Sequence, residues 1–536
     1  MLNKEIKFNK EARTSLEKGI NIVANAVKVT LGPKGHCVII GDRDKPLRVT
    51  KDGVSVAKEV QLADPLENAG AQLIKEAAIK TLNTVGDSTT TSTILAQSLI
   101  NQSKAFLEQE DINAVKMQKG LKHAANIVSD YINHHTIPIS DFGVKSIATI
   151  SSNNDTTIGE MIANTFKQIG NDGVITVAES SNVDTTVDVV SGMRIDRGYL
   201  CQHFVTDFVK DNCVLENPYI LITEEKITSI HSIKFILNQV AQEGRALLLI
   251  AEDFDESVLE TLKLNKLQGI LKICAIKAPS FGEYRKMILQ DIAILTNGSC
   301  ITYDSGLEVS DVTMAMLGKC KKVVVTKENT TFIGGEGSEN IIQDRVKELK
   351  SELERTKEDA TKDGSFMIKF LQERIARLTG GVAVIYVGGT TEIEMQERKD
   401  RIEDAVAATK AAIEGGVVFG GGLTYLNAAK ILDLDAEDIS YRAGFFILKN
   451  ALIHPFKQIL ENAGYIDKDY EYIRNKVTEL IGFDANKEEF VDMAEAGIVD
   501  PAKAAHLALE NAVSIASLYM VTDCIIVPEP INQFIA

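Results

Sequence analysis

The segment VGDSTTTSTILAQ (85–97) places a carboxylate and six consecutive hydroxyl side chains just before an apolar run. A helix entrance needs one good capping side chain, so this supply exceeds what capping requires. The unpaired N–H groups of a helix N-terminus suit phosphate, threonine hydroxyls add donors, and Asp87 could hold a Mg²⁺ ion that bridges phosphates. A helix with several capping residues and a solvated aspartate is the alternative, and these residues alone do not separate the two. The segment is not a P-loop, because the GxxxxGK[ST] pattern is missing.

Three further segments carry features that suit a nucleotide. KVTLGPKG (28–35) is a glycine-proline turn rich in backbone donors, and VTKDGVS (49–55) sets a lysine beside an aspartate where a short strand ends. FGGGL (419–423) allows the backbone to approach a ligand closely just before a helix. Each pattern is common by itself, so none of them identifies a site alone.

Length, charge and cysteine content limit the class of protein. A chain of 536 residues exceeds one compact core, so several domains are expected. The net charge of −17 disfavours nucleic acid or an anionic membrane as the main partner, and no uninterrupted apolar segment is long enough to span a bilayer. The N-terminal sequence has no signal core, and the seven dispersed cysteines include no CxxC pair. We therefore expect a cytoplasmic protein with reduced thiols.

Apolar periodicity predicts where helices and strands lie. Helices are expected at 11–30, at 65–84 and from 93 to 109, and a strand hairpin is expected from 37–40 and 47–50. A strand, a helix and a strand follow at 245–253, 255–269 and 270–279, with further strands at 173–179 and 380–389 and a two-helix hairpin at 338–378. The strand–helix–strand unit indicates an α/β region inside a mostly helical chain.

The order and intervals of these segments carry more weight than any one of them. The relevant segments are KVTLGPKG, TKDGVSVAKE, GDSTTTSTILAQ, DRGYL (196–200), IEDAVAATKAAIEGGVVFGGG (402–422) and GIVDPAK (497–503). Together they resemble the group I chaperonins, the GroEL-type heat-shock family, from about residue 3 to residue 528.

The resemblance implies a multi-domain α+β chain. A mostly helical equatorial domain that binds ATP and makes ring contacts would comprise 1–134 and 415–536. A small intermediate domain would comprise 135–190 and 383–414, and an α/β apical domain that binds clients and a co-chaperonin would comprise 191–382. Gly192 and the pair Gly380-Gly381 match hinge positions.

The resemblance also implies a site for ATP, Mg²⁺ and K⁺. The residues that match nucleotide contacts are Thr30, Leu31, Gly32, Pro33, Lys51, Asp87, Ser88, Thr89, Thr90, Thr91, Ile150, Ser151, Gly420, Gly421, Gly422, Asp484, Ala485, Ile498 and Asp500. Asp87 matches the Mg²⁺ ligand, whereas Thr30, Lys51 and Thr90 match positions around K⁺. Asp404 matches the carboxylate that orients the attacking water, and Asp52 matches a second carboxylate at the γ-phosphate. Ser88 replaces a glycine of the family, so we expect slower turnover.

In the apical region the resemblance implies capture of unfolded polypeptides through exposed apolar side chains. The matching positions are Tyr199, His203, Phe204, Lys234, Leu237, Leu259, Lys263 and Leu264. Lys234 and Lys263 stand where apolar residues are usual, and His203 stands where an aromatic is usual. Cations facing the groove would weaken docking of apolar segments and favour acidic ones. The alternative is that the leucines simply belong to the core.

The resemblance further implies a ring of seven subunits and a GroES-type co-chaperonin. Ile466 stands where an acid is usual at the contact between rings, so both a single and a double ring are compatible with the sequence. The C-terminal VPEPINQFIA (527–536) lacks a Gly-Gly-Met tail, and we expect no flexible segment at the cavity floor. One alternative function is a divergent paralogue that binds peptides with weak ATPase activity. A small-molecule kinase is the other, and the lack of an acceptor-binding constellation disfavours it.

Overall fold

The computed structural model describes residues 4–41, 47–141, 143–152, 154–170, 173–180, 182–208, 210–358, 364–433 and 437–528. The chain divides into two compact units. Unit 1 comprises Met1–Asn164, Val177–Thr185 and Val387–Ala536, and unit 2 comprises Thr165–Thr176 and Thr186–Tyr386. This division places the predicted equatorial segments and most of the predicted intermediate segments in unit 1, and the three-domain boundaries stay a prediction. The C-terminal residues 529–536, where the sequence lacks a Gly-Gly-Met tail, lie outside the described residues.

The N-terminal part of the chain is helical apart from three short strands. Its elements are β1 (Lys4–Phe8), α1 (Asn9–Lys28), β2 (Val38–Ile40), β3 (Arg48–Thr50), α2 (Gly53–Glu59), α3 (Pro65–Val85), α4 (Thr89–Leu107), α5 (Ala114–His134) and α6 (Val144–Ser151). The helices predicted at 11–30 and 65–84 are confirmed as α1 and α3. The predicted hairpin is confirmed as the antiparallel pair β2 and β3.

The middle of the chain alternates strands and helices. Its elements are α7 (Thr156–Ile169), β4 (Val174–Glu179), β5 (Thr186–Val190), β6 (Gly192–Ile195), β7 (Cys213–Glu216), β8 (Tyr219–Thr223), α8 (Ile230–Glu243), β9 (Ala246–Ala251), α9 (Glu256–Leu267), β10 (Lys272–Lys277), α10 (Gly282–Thr296), β11 (Cys300–Ile301), β12 (Gly318–Val325), β13 (Thr330–Gly335), α11 (Glu339–Glu358), α12 (Gly364–Thr379) and β14 (Val382–Val387). The predicted strand–helix–strand unit is confirmed, because β9 and β10 pair in parallel on either side of α9 in the chain.

The C-terminal part returns to helices. Its elements are α13 (Glu392–Gly415), β15 (Val417–Phe419), α14 (Leu423–Ile431), α15 (Ile439–Ala451), α16 (His454–Asn462), α17 (Asp467–Lys476), β16 (Ile481–Asp484), β17 (Glu489–Asp492), β18 (Val499–Pro501), α18 (Ala502–Val521) and β19 (Cys524–Pro528). β19 pairs antiparallel with β1, so strands from opposite ends of the chain form one two-stranded sheet in unit 1.

Unit 2 is built on one mixed sheet. Strands β10, β9, β8, β12, β13 and β6 lie side by side in that order, with β11 beside β8 and β7 beside β12. Strand β9 is buried along its whole length, as a parallel strand covered on both faces should be. A Cβ atom at Gly192 would lie 2.3 Å from Val382 Cγ2 and 2.5 Å from the Phe332 carbonyl oxygen. Packing therefore explains this glycine, and its predicted hinge role stays a prediction.

The helix hairpin α11–α12 in unit 2 confirms the sequence pattern at 338–378. Its first helix carries apolar side chains at intervals of four, three and four residues, and they are buried, namely Ile342, Val346, Leu349 and Leu353. Arg374 of α12, itself fully buried, donates to both carboxylate oxygens of the buried Asp291 of α10, at 2.7 and 2.9 Å. A buried charge persists when it is paired and hydrogen-bonded, as Arg374 is here.

The core of unit 1 is formed mainly by α1, α3, α4, α5, α15 and α18. Within the described part of the chain, α18 is long and apolar enough to cross a membrane, and 67% of its apolar window is buried inside the fold. Lys503, His506 and Glu510 interrupt its sequence, which is why an uninterrupted apolar span was not expected there. Burial of this extent is also what a core helix shows.

Candidate functional site

A cavity of about 580 Å³ opens in unit 1 at the entrance of α4. All but one of the residues predicted to contact nucleotide or perform hydrolysis line it, although they come from segments far apart in the chain. The lining includes Thr30, Leu31, Gly32, Pro33, Lys51, Asp52, Asp87, Ser88, Thr89, Thr90, Thr91, Ile150, Ser151, Asp404, Gly421, Gly422, Asp484, Ala485, Ile498 and Asp500. The fold therefore brings the predicted residues into one place.

Gly420 is the exception, because it is buried and does not line the cavity. Its backbone N–H donates to the Ile498 carbonyl at 2.9 Å, and a Cβ atom there would lie 3.0 Å from Asp500 Oδ1. The neighbouring Gly421 and Gly422 have φ values of 61° and 79°, a region that favours glycine. The glycine run thus shapes the wall and lets Asp500 stand at the cavity.

The entrance of α4 offers its backbone donors to the cavity. Ser88 occupies the N-cap position with φ 62° and makes no side-chain capping bond. The Asp87 carboxylate accepts a hydrogen bond from the Ser88 backbone N–H. The interpretation of Ser88 as one of several capping residues is therefore wrong. The residue instead adopts a left-handed conformation that serine tolerates less well than glycine.

Close contacts join the three hydroxyl- and glycine-rich segments. Thr30 Oγ1 lies 3.3 Å from Thr90 Oγ1 and donates to the Val27 carbonyl at 2.9 Å. A Cβ atom at Gly53 would lie 2.2 Å from Thr90 Oγ1. Only glycine at position 53 therefore lets the KDG turn reach the entrance of α4, and oxygen atoms from two segments meet there.

Asp52 lies at the cavity and also starts a helix. Its two carboxylate oxygens accept hydrogen bonds from the backbone N–H groups of Val54 and Ser55, at 3.1 and 2.9 Å. These bonds cap α2 and fix the orientation of the carboxylate. Lys51, the preceding residue, places a cation in the same cavity.

Carboxylates crowd the cavity and raise one another's pKa values. Burial raises the pKa of Asp404 well above its usual range, and the neighbouring Asp52 and Asp87 add to the effect. Burial and then Asp87 raise the pKa of Asp500 to about 7, and burial also raises the pKa of Asp87 itself. Acids held in this way gain from a bound cation, because a positive charge restores their ionised form.

Thr149 gives the cavity an unused polar group. Its buried Oγ1 has no hydrogen-bond partner in the described structure, and the residue lines the cavity. A Cβ atom at Gly159 would lie 2.0 Å from this oxygen, so the space beside it is kept for the hydroxyl group. Buried hydroxyls are normally paired, so the arrangement fits an oxygen-rich ligand that supplies the partner.

Part of the cavity wall is apolar or aromatic and was missed by sequence reasoning. Tyr425, Pro455, Ile459 and Phe483 line it, and no local motif marks these residues. Asp484 accepts hydrogen bonds from the backbone N–H groups of Asn486 and Lys487 at 2.9 and 3.1 Å, which closes the turn after β16. The cavity therefore combines polar, acidic side chains with apolar ones, as a nucleotide requires.

Helix α13 carries Asp404 to the cavity through a very close approach. A Cβ atom at Gly86, where φ is 71°, would lie 2.4 Å from Ala407 Cβ. Small residues on both sides therefore let α13 lie against the turn that precedes α4. This contact sets Asp404 near Asp52 and Asp87.

Comparison with known proteins gives this arrangement a context. The sequence model of the TCP-1/cpn60 chaperonin family matches residues 23–530. The chain belongs to this family. Its members are ATP-dependent chaperones that bind non-native polypeptides and assemble with copies of themselves, and this chain is one of them. The chaperonin resemblance and the multi-domain α+β fold expected from the motifs are thus confirmed.

A solved chaperonin structure has the same fold. It is the chaperonin gp146 from the bacteriophage EL 2 (Pseudomonas aeruginosa), crystallised in the presence of ATP-BeFx. The two sequences are 22% identical, the TM-score is 0.68, and the match covers 98% of this chaperonin and 99% of that chain.

The residues predicted to bind clients are not gathered on one surface of unit 2. Phe204 is fully buried and Leu237 is 7% exposed, and both belong to the sheet core. Their role as client contacts stays a prediction, although Leu237 lies on the apolar stripe of α8 that packs inward. Tyr199 and Leu259 are half-buried against the same core.

The polar positions and Leu264 are accessible. His203 and Lys234 are exposed, and Leu264 is 54% exposed. Lys263 is half-buried, and its Nζ lies 3.3 Å from Glu260 Oε1 of the same helix, so this cation is already paired. Sequence reasoning missed several exposed apolar side chains of unit 2, among them Phe235, Leu267 and Ile270.

Proposed function

We propose that this chaperonin hydrolyses ATP in the cavity of unit 1, with Mg²⁺ and K⁺, and uses the cycle to capture and release non-native polypeptides. The observation that carries the proposal is the cluster of Asp52, Asp87 and Asp404 beside the uncapped entrance of α4. Helix N–H groups and a lysine suit the phosphates, and acids with raised pKa values suit a bound cation. Product phosphate and ADP would leave through the same opening.

The donor groups fit the two expected ions. Among the described residues no group of three or more His, Cys, Asp or Glu side chains is arranged to hold a metal. This agrees with Mg²⁺, which usually takes one or two carboxylates and completes its shell with phosphate oxygens and water. Asp87 would hold Mg²⁺, and Thr30, Thr90 and Lys51 would surround K⁺. Bound cations supply charge stabilisation for phosphoryl transfer.

Asp404 is the residue best placed to orient a water molecule for attack. Burial first and then its neighbouring acids raise its pKa, which makes the carboxylate a better proton acceptor. Lys51 and the α4 N–H groups would offset charge on the phosphates, and Asp52 would hold a second position at the γ-phosphate. Positioning and charge stabilisation are the usual means of catalysis in phosphoryl transfer.

The remaining parts of the proposal concern assembly and setting. We infer a seven-membered ring, in one or two layers, that acts with a GroES-type co-chaperonin in a cytoplasm under stress. The exposed Phe235, Leu264, Leu267 and Ile270 support client capture by unit 2, because exposed apolar side chains in number usually mark a binding surface.

Phosphate release with Asp404→Ala tests the hydrolysis. We expect turnover to fall about 10²- to 10⁴-fold, the range for loss of a general base, while binding of a non-hydrolysable ATP analogue persists. Glu414→Gln is the matched control, since it removes a carboxylate at the distant C-terminal end of α13, and turnover should stay within about twofold. If the unmodified chaperonin binds nucleotide without releasing phosphate, the divergent peptide-binding paralogue is the better description.

A further inference from the structure

An ion pair connects β3 to α13 beside the cavity. Arg48 Nη2 lies 2.9 Å from Asp400 Oδ2, and the same nitrogen lies 3.1 Å from Ser55 Oγ. The other oxygen of Asp400 accepts a hydrogen bond from Gln396 Nε2 at 2.8 Å. The side chains of Arg48 and Asp400 are 30% and 15% exposed, so the pair is largely shielded from water.

Both partners stand close in the chain to residues of the cavity. Asp400 precedes Asp404 by four residues, so the two carboxylates lie on the same face of α13, one turn apart. Arg48 is in the strand that leads directly into Lys51 and Asp52. The ion pair therefore joins the helix that carries Asp404 to the segment that carries two other cavity residues.

The other described ion pairs of α13 act elsewhere. Arg398 pairs with Glu394 within the helix at 2.9 Å, and Glu414 pairs with Lys503 at the distant C-terminal end at 3.0 Å. Arg401 pairs with Glu397 within the helix and reaches Asp155 at 3.7 Å. Lys399 pairs with Glu179 of β4, a residue that does not line the cavity. The contact of Ala407 with Gly86 permits a close approach, but it supplies little attraction to maintain one.

We propose that Arg48 and Asp400 form a positioning pair that holds α13 against the cavity and so keeps Asp404 directed at the nucleotide. The inference deepens the proposed function and depends on it. Neither residue lines the cavity. The pair would therefore act on hydrolysis through the placement of α13, beside the smaller effect of the Asp400 charge on the pKa of Asp404. Its loss should lower the fraction of time that Asp404 is engaged and leave nucleotide contacts intact.

Single-turnover ATP hydrolysis separates this effect from binding and product release. We expect Arg48→Gln and Asp400→Asn each to slow the hydrolytic step about threefold to tenfold, as a shielded ion pair can. The dissociation constant for ATP should change less than twofold. The exchanged pair, Arg48→Asp with Asp400→Arg, should recover at least half of the lost rate. Glu414→Gln is the control, since it removes an equally short ion pair from the same helix and should leave the rate unchanged.

Several outcomes would overturn the positioning role. It is wrong if both single variants hydrolyse ATP at the original rate, if Glu414→Gln slows the step equally, or if the exchanged pair is no faster than the single variants. Hydrogen exchange gives a readout that does not need turnover, and amides of 396–408 should exchange faster in Asp400→Asn with ADP bound. If the unmodified chaperonin does not hydrolyse ATP, the proposed function fails. The exchange measurement then decides whether the pair still holds the helix, and unchanged exchange rejects it.

Discussion

Motifs predicted both the cavity of unit 1 and a client-binding surface on unit 2. The structure gathers the predicted residues in unit 1 but not in unit 2. In unit 1, hydroxyl, carboxyl and glycine residues from distant segments converge on one cavity. In unit 2, Phe204 and Leu237 pack into the core, while Leu264 and the unpredicted Phe235 remain exposed. An apolar residue in a motif therefore does not by itself show whether the side chain is buried in the core or binds a client.

The physical reason lies in what each residue type is used for. A buried core needs no run of threonines beside an aspartate, because each polar group there must find a partner. Such a run is therefore informative wherever it occurs. A helix of a mixed sheet needs an apolar stripe in any case, so the stripe alone cannot show whether a partner outside the chain covers it.

The largest expected effect on stability comes from replacing one of two leucines of unit 2, Leu237 or Leu264, with alanine. Leu237→Ala should lower the free energy of unfolding by about 2–4 kcal/mol, because it opens a cavity in the sheet core. Leu264→Ala should change it by less than about 0.5 kcal/mol and weaken capture of an unfolded client. Denaturant unfolding and a client-capture assay measure the two quantities. A stable Leu237→Ala that no longer captures clients would show that Leu237 faces the partner after all.

The next effect is a pH dependence of stability that arises from Asp500 in the cavity. Because the pKa of Asp500 is about 7 in the folded chain and 3.8 is the ordinary value, its ionisation destabilises the nucleotide-free fold above pH 7 and less so as pH falls. Asp500→Asn should raise the melting temperature at pH 8, by an amount equivalent to roughly 1–2 kcal/mol, and less at pH 5. Thermal unfolding across this range measures it. Glu495→Gln, an exposed carboxylate nearby, should show no such trend.

A smaller effect concerns the entrance of α4. Ser88→Gly should stabilise the chain by about 1 kcal/mol, because glycine adopts φ 62° without the strain of a side chain. Faster phosphate release should accompany the gain if the strain lies on the path of hydrolysis. Ser92→Gly, within the same helix, is the control and should destabilise. An unchanged rate in Ser88→Gly would remove this serine as the cause of slow turnover.

The smallest effect on stability is expected for the surface cations of unit 2. Lys234→Leu with Lys263→Val removes one exposed pair with Glu260 and should alter the free energy of unfolding by less than about 0.5 kcal/mol. Capture of apolar clients should rise and capture of acidic clients should fall. Competition between an apolar and an acidic unfolded peptide measures the preference. An unchanged preference would show that these lysines do not select clients.

Much of the fold followed from local pattern. Helices α1 and α3, the hairpin β2–β3 and the unit β9–α9–β10 lie where periodicity and turn residues placed them, because their own sequences decide them. The apolar residues of the cavity wall could not be predicted from local pattern. Phe483 and Ile459 come from separate elements, and only tertiary packing brings them together. The pair of Arg48 and Asp400, 352 residues apart in the chain, was hidden for the same reason.

The absence of a side chain at Gly86 sets how closely α13 can approach the turn before α4. A single methyl group there would meet Ala407 and push the helix of Asp404 away, without touching any atom that a nucleotide would contact. Any side chain at this position would also be strained, because φ is 71°. The functional defect would lie in the rate of hydrolysis and not in the contacts with nucleotide.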